Sequence, residues 1–278
     1  MPTRSRLAMQ LSVPLFVPGD RPERFAKALH SGATAVILDL EDAVAPAEKA
    51  RAREIVAGAL ADASLRAAAI VRVNAVATPY FEDDLAALQR IPPVAIMLPK
   101  CESAADVRRV ATAFPLAGVI PIIESIGGLD AARAIAAEPA TTALAFGAYD
   151  LAAQLGNRPT WDAMAALRAS VLVAARSAQK LLIDAPFVVI NDEVGLIEEA
   201  QRAVEFGFDG KLAIHPRHVA PLLEAFTPTE AELEHARRVL AAVEGGGVAT
   251  VDGKMVDPPL VAAARRVLGR TSPGGEHV

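Results

Sequence analysis

The sequence predicts an α/β fold, a closed (β/α)8 TIM barrel with a C-terminal helical arm. Three observations carry that expectation. Short β-branched or apolar runs alternate with longer Ala/Leu/Arg/Glu stretches of helical period, which is the pattern of βα units around a parallel sheet. Eight such runs can be placed, and eight crossovers favour a closed barrel because closure leaves no exposed parallel edge. The 278 residues, 53% of them hydrophobic, are enough for one large core, and barrels of about 250 residues commonly form one domain.

Taken in order, the strands are expected near Val13–Val17, Ala35–Leu40, Ile70–Val73, Ala95–Leu98, Val119–Ile123, Ala143–Phe146, Leu181–Asp184 and Lys211–Ile214, with a helical stretch after each. Pro46 opens the second helix near its first turn, where a missing N–H costs least. Glu102 and Ser103 precede the fourth helix, and Asp192 can cap the seventh. After the eighth helix, Thr227-Pro-Thr caps an extra helix ending near Val243, and Gly245-Gly-Gly then breaks the pattern. The expected division is a catalytic barrel over 1–243 and an arm over 244–278. That arm is too short to be a domain, so it packs on its own barrel or on a neighbouring subunit.

Composition excludes several classes of function. No apolar run approaches the roughly 18 residues of a membrane span. The opening stretch is broken by Pro14 and Pro18 and lacks an A-x-A-like cleavage site, so it reads as mature protein. Cys101 is the only cysteine, which rules out an internal disulfide and a thiolate metal cage, and suits a reducing, cytoplasmic setting. A net charge of −5, 4% aromatic residues and no long basic run argue against a nucleic-acid partner.

In barrels the active site lies at the carboxyl ends of the strands, so ionisable residues just after each apolar run carry most weight. Here they are Asp39, Glu41 and Asp42 after the second run, Arg72 in the third, Lys100 after the fourth, Glu124 after the fifth, Asp150 after the sixth, Asp184 ending the seventh and His215 after the eighth. Glu124 and Asp150 lie about one βα repeat apart and can converge from adjacent strands. Two such carboxylates repel unless one is protonated or a cation lies between them. Without cysteine or an H-E-x-x-H arrangement, hard oxygen ligation favours Mg²⁺, with Mn²⁺ possible, over zinc. The plainer alternative is that each caps the helix that follows it.

Arg72 suits a guanidinium aimed at a carboxylate or a developing oxyanion, and the competing reading is a lip ion pair with Glu41 or Asp42. Asp39, Glu41 and Asp42 would orient Arg72 or metal-bound water, or be solvated lip charges. Gly147 allows backbone N–H groups to approach an anionic ligand at a helix start. Lys100 and Lys211 are candidates for substrate phosphate or carboxylate. A Schiff base at Lys100 fits a charged mouth poorly. His215 reads as structural, and no G-x-S-x-G elbow is present.

The segments LFVPGDRPERFAKAL, AVILDLEDAV, VRVNA, MLPKCES, PIIESIGGL, LAFGAYDLAAQLG and GFDGKLAIHPRHV occur in an order that resembles the citrate lyase β-subunit and malyl-coenzyme A lyase family of the HpcH/HpaI aldolase group. The likeness runs from about Leu15 to His218 and resumes in DGKMVDPP. It implies that Glu124 and Asp150 bind Mg²⁺ and that Arg72 binds substrate oxygens. It further implies cleavage or formation of a 3-hydroxyacyl thioester to or from an acyl thioester and a 2-oxo acid, by a homo-oligomer such as a trimer or hexamer. An arm acid, Asp257 with Asp252 as the alternative, would close a neighbouring subunit's site. Coenzyme A would lie across the mouth, with Arg21 and Lys27 near its phosphates, unless an acyl carrier protein brings the thioester. A thioesterase and a non-catalytic binding protein on the same barrel are the other readings.

Overall fold

The computed structural model describes residues 11–244 and 249–270. The opening segment and the Gly245-Gly-Gly joint therefore lie outside the described residues. Eight parallel strands follow one another around the sheet in chain order. They are β1 (Pro14–Pro18), β2 (Ala35–Asp39), β3 (Ala69–Arg72), β4 (Ala95–Leu98), β5 (Gly118–Ile123), β6 (Ala143–Phe146), β7 (Leu181–Asp184) and β8 (Gly210–Lys211). The seam between the last strand and the first is closed by backbone bonds. The Phe16 N–H donates to the Ala213 carbonyl at 2.8 Å, the Ala213 N–H to Pro14 at 2.9 Å, and the Lys211 N–H to Ser12 at 2.9 Å. The expected barrel is present.

The eighth strand is shorter than expected. The regular ladder stops at Lys211, and Ala213 meets Leu15 only through an isolated bridge, so Leu212–Ile214 is a seam and not a strand. The first strand begins one residue later than expected. Helix signals were legible: Ser103 and Asp106 form a reciprocal capping box, and the Asp192 carboxylate accepts from the Gly195 N–H at 3.0 Å. Pro46 opens a 3-10 turn, Pro46–Glu48, that leads into the helix Lys49–Ala59.

Strand parity sets the direction of the functional side chains. Ala35 and Ile37 belong to the cluster inside the barrel, whereas Val36 and Leu38 face the surrounding helices. Asp39 lies two residues beyond Ile37 and so continues the inward row. Arg72 stands in the same relation to Ile70, and Glu124 to Ile122. Three polar side chains thus emerge from the apolar plug at its carboxyl end.

The sixth unit carries two helices, Ala148–Leu155 and Trp161–Ser177, and the first of them presents Asp150 in its first turn. Beyond the barrel come the helix Glu230–Glu244, a hairpin of β9 (Ala249–Val251) and β10 (Lys254–Val256), and the helix Pro258–Leu268. The hairpin turns on Asp252 and Gly253, both at positive φ as such two-residue turns require. Ala236, Val239 and Ala264 form a small core that joins this final helix to the helix Glu230–Glu244. Among the described residues no helix is long and apolar enough to cross a membrane.

Closure of the barrel demands a residue without a side chain at position 210. A Cβ there would stand 2.1 Å from the Leu11 carbonyl oxygen and 2.7 Å from that of Ser12, both rigid backbone. We therefore expect Gly210→Ala to cost about 3 kcal/mol, at the upper end of overpacking penalties, and to lower Tm by roughly 10 °C. A thermal unfolding curve matching the parent's would mean that the seam can open freely.

Candidate active site

The mouth is organised around Arg72. Its Nε donates to Asp39 Oδ1 at 2.8 Å and its Nη2 to Oδ2 at 2.6 Å, a two-pronged fork between neighbouring strand ends. Asp39 also accepts from the N–H groups of Glu41 (2.8 Å) and Ala43 (3.2 Å), so one buried carboxylate both shapes the loop after β2 and holds the guanidinium. The Phe16 ring lies 4.6 Å from the guanidinium carbon. Nη1 approaches Glu41 Oε2 at 3.0 Å, a charge contact without hydrogen-bond alignment, and that oxygen has no hydrogen-bond partner among the described residues. Burial disfavours the Arg72 charge, but Asp39 and Glu41 outweigh it and raise its pKa above the ordinary value.

The lip ion pair is thus real, with Glu41 as one of its two expected partners and Asp39 orienting the guanidinium. Asp39 and Glu41 hold Arg72; Asp42 is exposed and meets only the Lys100 ammonium, at 3.7 Å. Lys100 Nζ also donates to Glu41 Oε1. Burial lowers the pKa of the Lys100 ammonium, but the bond to Glu41 prevails and raises it, which disfavours the free amine a Schiff base needs. Glu41 is itself raised, because burial outweighs the pull of Arg72 and Lys100.

Glu124 is 5% exposed at the end of β5. Its Oε1 accepts the backbone N–H of Lys100 at 2.8 Å, a bond made possible by a left-handed backbone at Lys100 (φ 48°). Burial, then the nearby Glu41 carboxylate, and further Asp150, push the Glu124 carboxyl up to about 8 despite that bond. Neither acid is a helix cap. Ser125 caps the helix Ile126–Ala137 through the Gly128 N–H, and the helix bearing Asp150 begins three residues before Leu151, at Ala148. Hard oxygen donors of like charge, one of them buried, suit a divalent cation better than they suit one another. Among the described residues no three His, Cys, Asp or Glu side chains form a fuller metal cage.

Gly147 serves differently from the expectation. Its N–H donates to the Ile123 carbonyl at 3.0 Å, so it is not directed at an anion. Its missing side chain is what matters: a Cβ would stand 2.3 Å from Glu124 Cβ and 2.6 Å from Oε2.

Other expected residues fall elsewhere. Lys211 is fully buried and donates to Asp184, Glu199 and the Ala185 carbonyl, each at 2.7 Å, so it cannot reach substrate. His215 accepts the Arg217 N–H at 3.1 Å and is structural. Arg21 and Lys27 are exposed beyond β1, Arg21 lying 3.7 Å from Asp20. Asp252 is occupied by His235 (2.9 Å) and Arg238 (2.8 Å). Asp257 caps the helix Pro258–Leu268 through the Leu260 N–H at 2.9 Å. It shares a groove with Leu181, the first residue of β7, and with Asp209, so it lies at the end of its own barrel opposite the mouth.

Sequence reading missed Arg168, 2% exposed, which donates to Asp184 at 2.9 Å and is flanked by the rings of Trp161 and Phe146. The signal was its place in a buried helical row with Met164, Val171 and Ala175.

Fold and mouth together define a closed barrel with a cluster of opposite charges at the carboxyl ends of its strands. The chain belongs to the HpcH/HpaI aldolase/citrate lyase family, which matches residues 12–216. It is 38% identical over 265 residues to a (3S)-malyl-CoA thioesterase of Cereibacter sphaeroides, covering 92% of this chain and 93% of that protein. It is 40% identical to a citrate lyase subunit beta-like protein of Mycobacterium tuberculosis, covering 92% and 94% of the two. The crystal structure of the Mycobacterium tuberculosis protein CitE in complex with magnesium, acetoacetate and coenzyme A is similar with a TM-score of 0.81 at 38% identity, covering 93% of this chain and 97% of that one.

The contact between Gly147 and Glu124 can be tested directly. Gly147→Ala should keep the circular dichroism of the parent while weakening divalent-cation binding at least about tenfold, because Glu124 must swing away. Unchanged affinity by calorimetry would remove Glu124 from the cation site.

Proposed function

We propose that this chain is an Mg²⁺-dependent carbon–carbon lyase that splits, or in reverse forms, a 3-hydroxyacyl thioester such as malyl-, citramalyl- or citryl-coenzyme A. The products are an acyl thioester and a 2-oxo acid. The observation that carries this reading is the pairing at the mouth of a largely buried guanidinium with a buried carboxylate that forms no ion pair among the described residues. Arg72 is already gripped on one edge by Asp39, and Glu124 sits beside Glu41 and Asp150 with its carboxyl pushed up to about 8. The relation to CitE, whose complex contains magnesium, acetoacetate and coenzyme A, supports the same reading.

Glu124 and Asp150 would hold Mg²⁺, which when bound supplies Lewis acidity toward the oxygens of the 2-oxo acid portion. Arg72 balances negative charge on the oxygen where it develops as the carbon–carbon bond breaks. Asp39 keeps that guanidinium in one orientation, so little reorganisation is needed at the moment of reaction. The 3-hydroxyl gives up its proton to solvent as it becomes the 2-oxo group, the electron pair of the broken bond passes to the thioester α-carbon, and Asp257 of a neighbouring copy, protonated beforehand from solvent, delivers the proton that carbon takes up. The placement of Asp257 away from its own mouth supports service to another barrel. Arg21 and Lys27 would pair with coenzyme A phosphates.

Thioester hydrolysis is a second reading, favoured by the 38% identity to a (3S)-malyl-CoA thioesterase. The deciding experiment is incubation of the purified protein with Mg²⁺ and malyl-, citramalyl- and citryl-thioesters, followed by product analysis. A 2-oxo acid together with an acyl thioester supports the lyase. Free coenzyme A thiol without a 2-oxo acid makes the chain a thioesterase, and turnover only on a carrier-protein thioester makes it the subunit of a complex.

Because the Glu124 carboxyl is raised, its neutral form dominates below about pH 8, and a cation must displace that proton. Mg²⁺ affinity should therefore rise with pH, by up to about tenfold per unit, and level off above about 8. A dissociation constant that stays flat across the neutral range would contradict the assignment.

The shared site predicts complementation. Inactive Arg72→Ala subunits mixed with inactive Asp257→Ala subunits should regain partial activity, since some interfaces join a sound barrel to a sound arm. Mixtures that stay inactive despite demonstrated subunit exchange would leave Asp257 with its helix-capping role alone.

A further inference from the structure

At the end of the barrel opposite the mouth, the arm and the strand starts enclose a groove of about 1070 Å³. Arg176 and Asp209 reach it from the barrel, and Arg265, Arg266, Arg270 and Asp257 from the arm. On a protein of net charge −5, such a gathering of guanidiniums calls for a cause. The two carboxylates do not supply it, because both are already engaged. Asp209 forms an ion pair with Arg176 and accepts the Leu182 N–H, each at 2.8 Å, and Asp257 caps its helix.

Arg265 and Arg266 are exposed and make no ion pair or side-chain hydrogen bond among the described residues. Their place in the last turn of a helix is favourable to the helix dipole, which would account for two basic residues there. It does not account for their meeting Arg176 of the barrel across the groove. Arg270 is half-buried, with one weak bond to the Phe208 carbonyl at 3.4 Å. Burial first, then repulsion from Arg176 and Arg266, lowers its pKa against the attraction of Asp209 and, more weakly, Glu232. The groove thus holds positive charge that its own acids leave unbalanced.

We propose that this groove is a binding site for an anion carrying closely spaced phosphate groups, and that occupancy ties the arm to the barrel. Planar, forked donors suit phosphate oxygens better than they suit single point charges. The volume accommodates a ligand of nucleotide size. The phosphates can come from a free phosphate-bearing ligand or from the coenzyme A portion of a thioester held on a neighbouring copy. Only the second source rests on the function proposed above.

The test uses the full chain and inorganic pyrophosphate, read by calorimetry and by the shift in Tm, with no turnover involved. Wild-type protein should bind with a Kd below about 1 mM at physiological ionic strength and melt higher when occupied. The double variant Arg265→Ala/Arg266→Ala should bind at least about tenfold more weakly, and Arg265→Lys/Arg266→Lys should recover part of the loss. A variant Arg21→Ala/Lys27→Ala at the mouth should bind as the parent does. Weaker binding by the parent, or equal binding by parent and Arg265→Ala/Arg266→Ala, overturns the site. Loss of binding in the mouth variant alone moves the anion to the mouth and overturns it equally. Coenzyme A distinguishes the sources: affinity for it falls in Arg265→Ala/Arg266→Ala if its phosphates are the ligand, and is unchanged if the ligand is a separate phosphate.

Discussion

A guanidinium held below the surface of a barrel mouth must be balanced by charge from its own surroundings, and in this protein that requirement organises the site. Asp39 answers it with both oxygens while also accepting two backbone N–H groups from the loop that follows. Removing one partner of such a pair typically costs about 3–5 kcal/mol, because the other is left buried and uncompensated. The loop after β2, the end of β3 and the orientation of Arg72 are therefore one unit. Glu41 extends that unit to Lys100, and the Lys100 backbone in turn holds Glu124. A chain of four strand ends is thereby coupled without any of them contacting all the others.

The same chain concentrates negative charge next to Glu124. Glu41 is drawn inward by Arg72 and Lys100, but its presence raises the pKa of Glu124. An interior that wanted only stability would not place these carboxylates together. Unless a cation shares the space, the cost is borne as a proton on Glu124, so a cation bound there would compete with that proton. Gly147 belongs to the same argument, since any side chain there would occupy the volume that lets Glu124 stand where it does.

What could be read from sequence follows from what a sequence encodes locally. Strand positions were legible because apolar runs and turn residues alternate with a fixed period, and parity alone sends Asp39, Arg72 and Glu124 into the mouth. Partner choice was not. Asp42 lies as near Arg72 in sequence as Glu41 does, but the Asp39 carboxylate pins the loop at the N–H groups of Glu41 and Ala43 and leaves Asp42 outside. Lys211, at the start of the expected eighth strand, was a candidate for substrate phosphate or carboxylate, whereas Asp184 and Glu199 hold it, with Arg168 on the other side of Asp184. Such pairings depend on contacts distant in sequence, which a one-dimensional pattern does not rank.

The arm shows where local reading and assembly part company. Within one copy, Asp257 is fully explained as an N-cap beside two prolines, and nothing about its bond to Leu260 asks for a catalytic role. Its distance from its own mouth makes a catalytic role depend on a second copy. The guanidiniums that share its groove point the same way, since an arm held by the small core around Val239 and Ala264 and by the bond from Arg270 to Phe208 would gain a firmer seat on the barrel if an anion bridged Arg265 and Arg266 to Arg176. Seating would matter if the arm served another barrel, because closing it would need a defined direction, which the attachment at this end would set.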